Sequence, residues 1–78
     1  MMRPVKRSFS IKGHRTSISL EAPFWDALKD AATAEHLSLA SLVAKIDAGR
    51  GGANLSSAVR VWLLARYRMK PAPPPIET

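Results

Sequence analysis

Serine alternates with apolar residues on both sides of Gly13, and this alternation is the strongest constraint on the fold of the chain. Successive side chains of a β-strand point to opposite faces, so the pattern predicts two strands joined by a tight turn. Because glycine comes first in Gly13-His14, we predict a type II′ loop there, with Lys12 facing Arg15 and Phe9 facing Ile18. The predicted strands cover residues 6–12 and 15–21.

The predicted hairpin has two chemically different faces. The apolar face holds Phe9, Ile11, Thr16, Ile18 and Leu20, with Arg7 at its margin. The polar face holds Ser8, Ser10, Lys12, Arg15, Ser17 and Ser19 and no acid. A ribbon with such a face can enter the DNA major groove, where serine and arginine hydrogen-bond base edges. An ordinary solvated sheet face is the alternative, and this segment alone leaves it open.

Three helices are predicted after the hairpin. Pro23 lies where the first helix begins, since proline loses no hydrogen bond at the first helical position. Ser38 is expected to cap the second helix, whose apolar residues recur at helical spacing. Glycines at 49, 51 and 52 end it, and they lack the spacing of a phosphate-binding loop. Asn54 is expected to cap the third helix, over about 55–68.

The third helix is apolar on most of its sides and therefore has to be buried on most of them. Small domains without disulfides or metals commonly rely on a partner subunit, and this chain has 78 residues and no cysteine. His14 and His36 have no carboxylate cluster beside them, so no metal site is predicted. We predict a homodimer whose core contains Ile18, Leu20, Leu42, Val43, Ile46, Val59, Trp62 and Leu63.

Positive charge is concentrated at the two ends of the chain. Twelve Lys and Arg against six Asp and Glu give a net charge of +6. Residues 1–15 and 50–70 each carry five cations and no acid, whereas residues 16–49 have a net charge of −3. Such a protein is attracted to polyanions, including nucleic acid. Solubility alone is the alternative explanation.

Several other protein classes are disfavoured. The N-terminal cations precede no apolar run, and the longest apolar stretch, 61–65, is far too short to span a bilayer. We expect a cytoplasmic protein with no membrane partner. No cysteine nucleophile or histidine–carboxylate pair indicates an enzyme, and no cofactor is predicted. The predicted organisation is a flexible basic segment at 1–4, one domain at 5–68 and a disordered Pro-rich tail at 69–78.

Three segments follow one another in the chain, namely GHRTSISLE at 13–21 followed by PFW at 23–25, LASLV at 39–43, and GGANLSSAVR at 51–60. In this order they resemble a family of small bacterial ribbon-helix-helix domain proteins. The resemblance implies a mainly α fold with a short N-terminal β element and three helices per protomer. It also implies an intertwined homodimer, in which one strand from each protomer forms an antiparallel ribbon that inserts into the major groove.

The resemblance further implies a transcriptional regulator that binds double-stranded DNA. Base contacts would come from Arg15, Ser17 and Ser19. Phosphate contacts would come from Arg3, Lys6, Arg7 and Lys12, and from the helix N-terminus at Ser38, Leu39 and Ala40, where free N–H groups and the helix dipole attract anions. The alternatives are a toxin-neutralising antitoxin or a ligand-sensing dimer, with the protein partner or effector unidentified.

Two features depart from the minimal family pattern. With a third helix present, either the second or the third predicted helix could take the role of the family's second helix. The extra strand at 6–12 would give a dimer sheet of four strands spanning about 14 Å between outer backbones, whereas the major groove is about 12 Å wide. Either residues 1–12 form a mobile basic arm along the phosphates, or DNA is not read through this sheet.

Overall fold

A computed structural model describes residues 3–69, which form two strands followed by three helices. The elements are β1 (Val5–Ile11), β2 (His14–Leu20), α1 (Ala22–Ala34), α2 (Leu39–Ala48) and α3 (Leu55–Met69). This order confirms the predicted mainly α fold with an N-terminal β element. The predicted Pro-rich tail lies outside the described residues, except for Met69, which ends α3.

The turn of the hairpin differs from the prediction. Ile11 faces His14, and Lys12 and Gly13 form the loop between them. Both loop residues have positive φ, 52° and 80°, which defines a type I′ turn with glycine in second place. The predicted loop at 13–14 is therefore wrong, because the twist of a type I′ turn matches that of the strands and brings His14 into β2.

The strand pairing is shifted by two residues relative to the prediction, yet the two faces are the predicted ones. Phe9 now faces Thr16 rather than Ile18. A shift of two residues preserves the alternation of side chains, so every residue keeps its face. Ile11 and Ile18 are buried, and the serines of the opposite face are exposed or half-buried.

The predicted beginnings of the helices are confirmed. Pro23 lies in the first turn of α1. The Ser38 hydroxyl accepts a hydrogen bond of 3.0 Å from the backbone N–H of Ser41 and so caps α2. Asn54 Oδ1 accepts one of 3.3 Å from the backbone N–H of Ser57 at the start of α3. These side chains satisfy N–H groups that have no partner within the helix.

One core joins the hairpin to the three helices. The largest side chains with no solvent exposure are Ile18, Leu20, Leu28, Leu42, Val43 and Val59. Trp25 of α1 also holds β1 in place, because its Nε1 donates a 2.9 Å hydrogen bond to the carbonyl oxygen of Val5 and its ring lies 6.0 Å from that of Phe9. The exposed Arg7 lies over the same indole, 5.2 Å from the ring centre. The hairpin is thus packed on the helices along its apolar face.

The residues predicted for a dimer core are mostly buried within a single chain. All of them are buried except Trp62, which is partly buried against the same core. The inner side of α3 is therefore covered by its own chain. Its outer side is not, since Val61, Leu64 and Tyr67 are 65 %, 57 % and 78 % exposed. This outer side is the surface that a second copy could cover, and the homodimer stays a prediction.

None of the helices formed by residues 3–69 has both the length and the apolar character required to span a bilayer.

Candidate nucleic-acid interface

The polar face of the hairpin brings the three predicted base-contacting residues together. Arg15, Ser17 and Ser19 occupy alternate positions of β2 and share this face. Each faces a residue of β1, and the facing pairs are Ser10–Arg15, Ser8–Ser17 and Lys6–Ser19. The Oγ atoms of Ser8 and Ser17 lie 3.3 Å apart. The face is a two-stranded surface of hydroxyls bordered by cations.

Three of the four strand and loop cations predicted to contact phosphate border this face. Arg3 precedes β1, Lys6 lies on the polar face and Lys12 lies in the turn, and all three are exposed. Arg7 is exposed on the opposite side, over Trp25. Within residues 3–69, the cations at positions 3–15 take part in no ion pair. Their charge is therefore available to an external anion.

The helices, by contrast, neutralise much of their own charge. Four ion pairs join helical or loop residues, namely Glu21–Arg60, Glu35–Lys45, Glu35–Arg66 and Asp47–Arg50. The first three have N···O distances of 2.9 Å. These ion pairs compensate the charges of Lys45, Arg50, Arg60 and Arg66. The uncompensated positive charge of residues 3–69 therefore lies mainly at the hairpin end. This arrangement sharpens the charge segregation seen in the sequence.

The first turns of α3 hold the end of β2. The backbone N–H of Ser19 donates a 3.1 Å hydrogen bond to the Ser56 hydroxyl, and the Ser19 carbonyl oxygen accepts a 3.1 Å hydrogen bond from Arg60 Nη2. Arg60 also donates to Glu21 Oε1, at 2.9 and 3.2 Å. Sequence reasoning missed both α3 residues, because they lie 37 and 41 positions from Ser19 and no local pattern links them.

Arg60 also determines the acidity of Glu21. Its hydrogen bond to the carboxylate, supported by a backbone hydrogen bond and by its charge, holds the pKa of Glu21 below the ordinary value of 4.5. A carboxyl group with a lowered pKa in the folded state stabilises the fold above its unfolded-state pKa. That stabilisation is lost as the pH falls through the folded-state pKa.

We therefore expect Arg60→Gln to lower the Tm at pH 7, and the difference from wild type to shrink as the pH falls below 4.5. Thermal denaturation of both proteins across this pH range measures the effect. Glu21→Gln is the matched background, because it removes the titrating group while keeping Arg60. In that background Arg60→Gln should have an effect that does not vary with pH, and an undiminished pH dependence there would contradict the assignment.

The N-terminus of α2 has the geometry expected of an exposed helix start. Ser38 caps it with its hydroxyl, which also donates a 2.8 Å hydrogen bond to Ser41 Oγ. Leu39 is half-buried and Ala40 is exposed. Phosphate binding here stays a prediction. The hydrogen bonds from Ser56 and Arg60 to Ser19 come from α3, so it is the N-terminal part of α3 that contacts β2.

A surface cavity of about 450 Å³ lies between α2 and α3 and bears on the ligand-sensing alternative. Ile46, Val61 and Trp62 supply apolar lining, and Lys45 and Arg50 supply cations. Both cations are already paired with acids of the same chain. An acidic ligand would have to compete with these pairs. Among residues 3–69, no group of three or more histidine or acidic side chains is arranged to hold a metal ion.

Comparison with known proteins places the chain in a family. A family model described as a ribbon-helix-helix domain matches residues 4–67, which include both strands and nearly all of α3. No curated protein and no solved structure matches the chain. Ribbon-helix-helix domains are in general DNA-binding regulators that act as dimers. The chain therefore belongs to the ribbon-helix-helix family of DNA-binding proteins.

Proposed function

We propose that this protein is a homodimeric, sequence-specific DNA-binding protein that acts as a transcriptional regulator. The observation that carries the proposal is the polar face of the hairpin, which is exposed, rich in hydroxyls, free of acids and bordered by unpaired cations. Family membership supports the general class of function. The residues of the face support the finer assignment, in which a β-ribbon inserts into the major groove and reads bases.

Arg15 has the central role in the proposed reading. An arginine can form two hydrogen bonds to O6 and N7 of guanine, whereas a serine can donate to or accept from several bases. Arg15 and Ser17 are both exposed, and Ser19 is half-buried at the end of the strand. Arg15 would therefore supply most of the discrimination, with Ser17 and Ser19 adding contacts that depend on how deeply the ribbon enters.

Phosphate contacts would orient the ribbon without reading sequence. Arg3, Lys6 and Lys12 lie at the two ends of the hairpin, where the groove walls would pass. Arg7 lies on the opposite face, over Trp25, and its side chain would have to extend around the edge of the hairpin to reach a phosphate. The α2 amides at Ser38, Leu39 and Ala40 are the remaining proposed phosphate contacts.

The proposed homodimer uses the outer side of α3. Val61, Leu64 and Tyr67 form an exposed apolar strip there, and Pro23, Phe24 and Leu63 line a shallow cavity beside it. A second copy packed on this strip would bury side chains that a monomer leaves in water. Two copies would then present two hairpins to one duplex.

Base reading is tested by the double variant Arg15→Ala, Ser17→Ala. Genomic fragments captured by the wild type and by the variant are sequenced, and the preferred motifs are compared. We expect the variant to lose the motif, because a bidentate contact between an arginine and guanine contributes about 1–3 kcal/mol of discrimination. The control is Ser57→Ala, which removes an exposed hydroxyl of α3 and should leave the motif unchanged. An identical motif for the double variant would exclude base reading by these residues.

A further inference from the structure

The junction between β2 and α1 is joined to α3 by hydrogen bonds that centre on Ser19 and Arg60. The backbone N–H of Ser19 donates to the Ser56 hydroxyl, and its carbonyl oxygen accepts from Arg60 Nη2, each at 3.1 Å. Nε and Nη2 of Arg60 both donate to Glu21 Oε1, at 3.2 and 2.9 Å. The Arg60 guanidinium also lies over the Phe24 ring, 5.7 Å from its centre. Arg60 therefore connects the end of β2 to the first turn of α1.

Ser19 depends on these contacts because β1 does not bond its backbone. Ile11 and His14 close the turn as a hydrogen-bonded pair, and such pairs alternate along an antiparallel ladder with pairs that share no backbone hydrogen bond. By this alternation, Lys6 and Ser19 form a pair of the second kind. The N–H and the carbonyl oxygen of Ser19 thus point away from β1, and within residues 3–69 their partners come from α3.

The contact with α3 determines where the Ser19 hydroxyl lies. One carbon separates a serine hydroxyl from the backbone, so the backbone and a single rotamer set its position. Ser19 is the last residue but one of β2, where a strand without such bonds frays. Among the three residues proposed to contact bases, α3 holds Ser19 alone by hydrogen bonds. The effect of α3 on the polar face is therefore confined to one position.

Two of the segments that carry the resemblance to the family meet at this contact. Ser56 and Arg60 belong to 51–60, whereas Ser19 and Glu21 belong to 13–21. The segment in α3 supplies none of the DNA contacts proposed above. Its hydrogen bonds to Ser19 give it a part in them at a distance.

We propose that Ser56 and Arg60 are positioning residues for DNA recognition, which hold Ser19 so that its hydroxyl contacts a base. The inference rests on the DNA-binding function proposed above and extends it to α3. Arg60 acts through Ser19 and not on DNA, because its guanidinium is already bonded to Ser19 and Glu21. Loss of either contact affects the base positions read by Ser19 and spares those read by Arg15.

Ratios of Kd between duplexes test the inference, because a variant that is only partly folded binds every duplex more weakly by the same factor. The motif positions read by Ser19 are first located with Ser19→Ala. We expect Ser56→Ala and Arg60→Gln each to reduce discrimination at these positions about two- to tenfold, as for the loss of one hydrogen bond. The matched controls are Ser57→Ala and Arg68→Gln, at exposed positions of the same helix, which should leave every motif position unchanged.

Two further measurements show whether Arg60 acts through Ser19. In the Ser19→Ala background, Arg60→Gln should cause no additional loss of discrimination at these positions. Arg60→Gln should also leave the slope of log affinity against log salt unchanged, whereas loss of a phosphate contact lowers its magnitude by about one. An additional loss of discrimination or a lowered slope would assign Arg60 a direct contact with DNA and overturn the inference.

The failure of the inference can be distinguished from the failure of the proposed function. If the wild type binds no duplex, or binds all duplexes equally, the proposed function is wrong and the inference falls with it. If Ser19→Ala alters the motif but Ser56→Ala and Arg60→Gln do not, only the inference is wrong. A motif that Ser19→Ala leaves unchanged overturns the inference as well. Ser56→Ala removes a single hydroxyl, so it decides the outcome even if Arg60→Gln does not fold.

Discussion

Raising the salt concentration from about 50 to about 200 mM is expected to weaken DNA binding about a thousandfold or more, as for proteins that neutralise six to ten phosphates. The reason is that each lysine or arginine placed on a phosphate releases condensed counterions, which salt opposes. The cations at positions 3–15 are the source of this effect, because they are not paired with acids in the described chain. Fluorescence anisotropy with a labelled duplex measures the affinity at each salt concentration.

The slope of log affinity against log salt assigns the effect to particular residues. Lys6→Ala, Lys12→Ala should reduce its magnitude by about one for every phosphate contact removed. Lys29→Ala is the matched control, since Lys29 is an exposed lysine on α1, away from the hairpin, and should leave the slope unchanged. Binding that barely changes with salt, or a slope reduced equally by Lys29→Ala, would contradict the proposed phosphate contacts.

Leu28→Ala is expected to reduce the free energy of unfolding by about 2–5 kcal/mol. Leu28 has no solvent exposure and lies on the side of α1 that faces the core. The variant loses the burial of the removed carbons and leaves a cavity that the neighbouring side chains fill only partly. The total free energy of unfolding of a native domain is about 5–15 kcal/mol, so this single substitution removes a large part of it.

Urea denaturation followed by circular dichroism measures this loss. Met69→Ala is the control, because Met69 is an apolar residue at the end of α3 and is 85 % exposed. Its effect should stay within about 0.5 kcal/mol, as for other surface substitutions. Similar losses for the two variants would mean that Leu28 is not in the core. An unchanged m-value confirms that only stability has changed.

The faces of the hairpin and the starts of the helices were predictable because each depends on neighbouring residues. Alternation of side chains determines a face, and Ser38 and Asn54 cap helices through the amide three residues ahead. Pro23 likewise identifies the first turn of α1. Local spacing of this kind is visible in a sequence without knowledge of the rest of the fold.

The turn and the contact between α3 and β2 were not predictable in the same way. Loops at 12–13 and at 13–14 both place a glycine in a turn, and the choice depends on whether Lys12 takes a positive φ. Ser56 and Arg60 reach Ser19 only because the core brings α3 against β2. The sequence likewise indicated that α3 needs cover, but not that its own chain supplies that cover on one side and leaves Leu64 exposed on the other.

The alternation of side chains makes this hairpin tolerant of some shifts in strand pairing and intolerant of others. Pairing can slip by two residues without moving any side chain to the wrong face, as the difference between the predicted and observed registers illustrates. A slip of one residue would direct the serines at the helices and Ile18 and Leu20 at solvent. A single-residue insertion within a strand has the same effect on the residues beyond it, whereas extra residues in the loop leave both faces unchanged, so parity constrains the strands and not the tip.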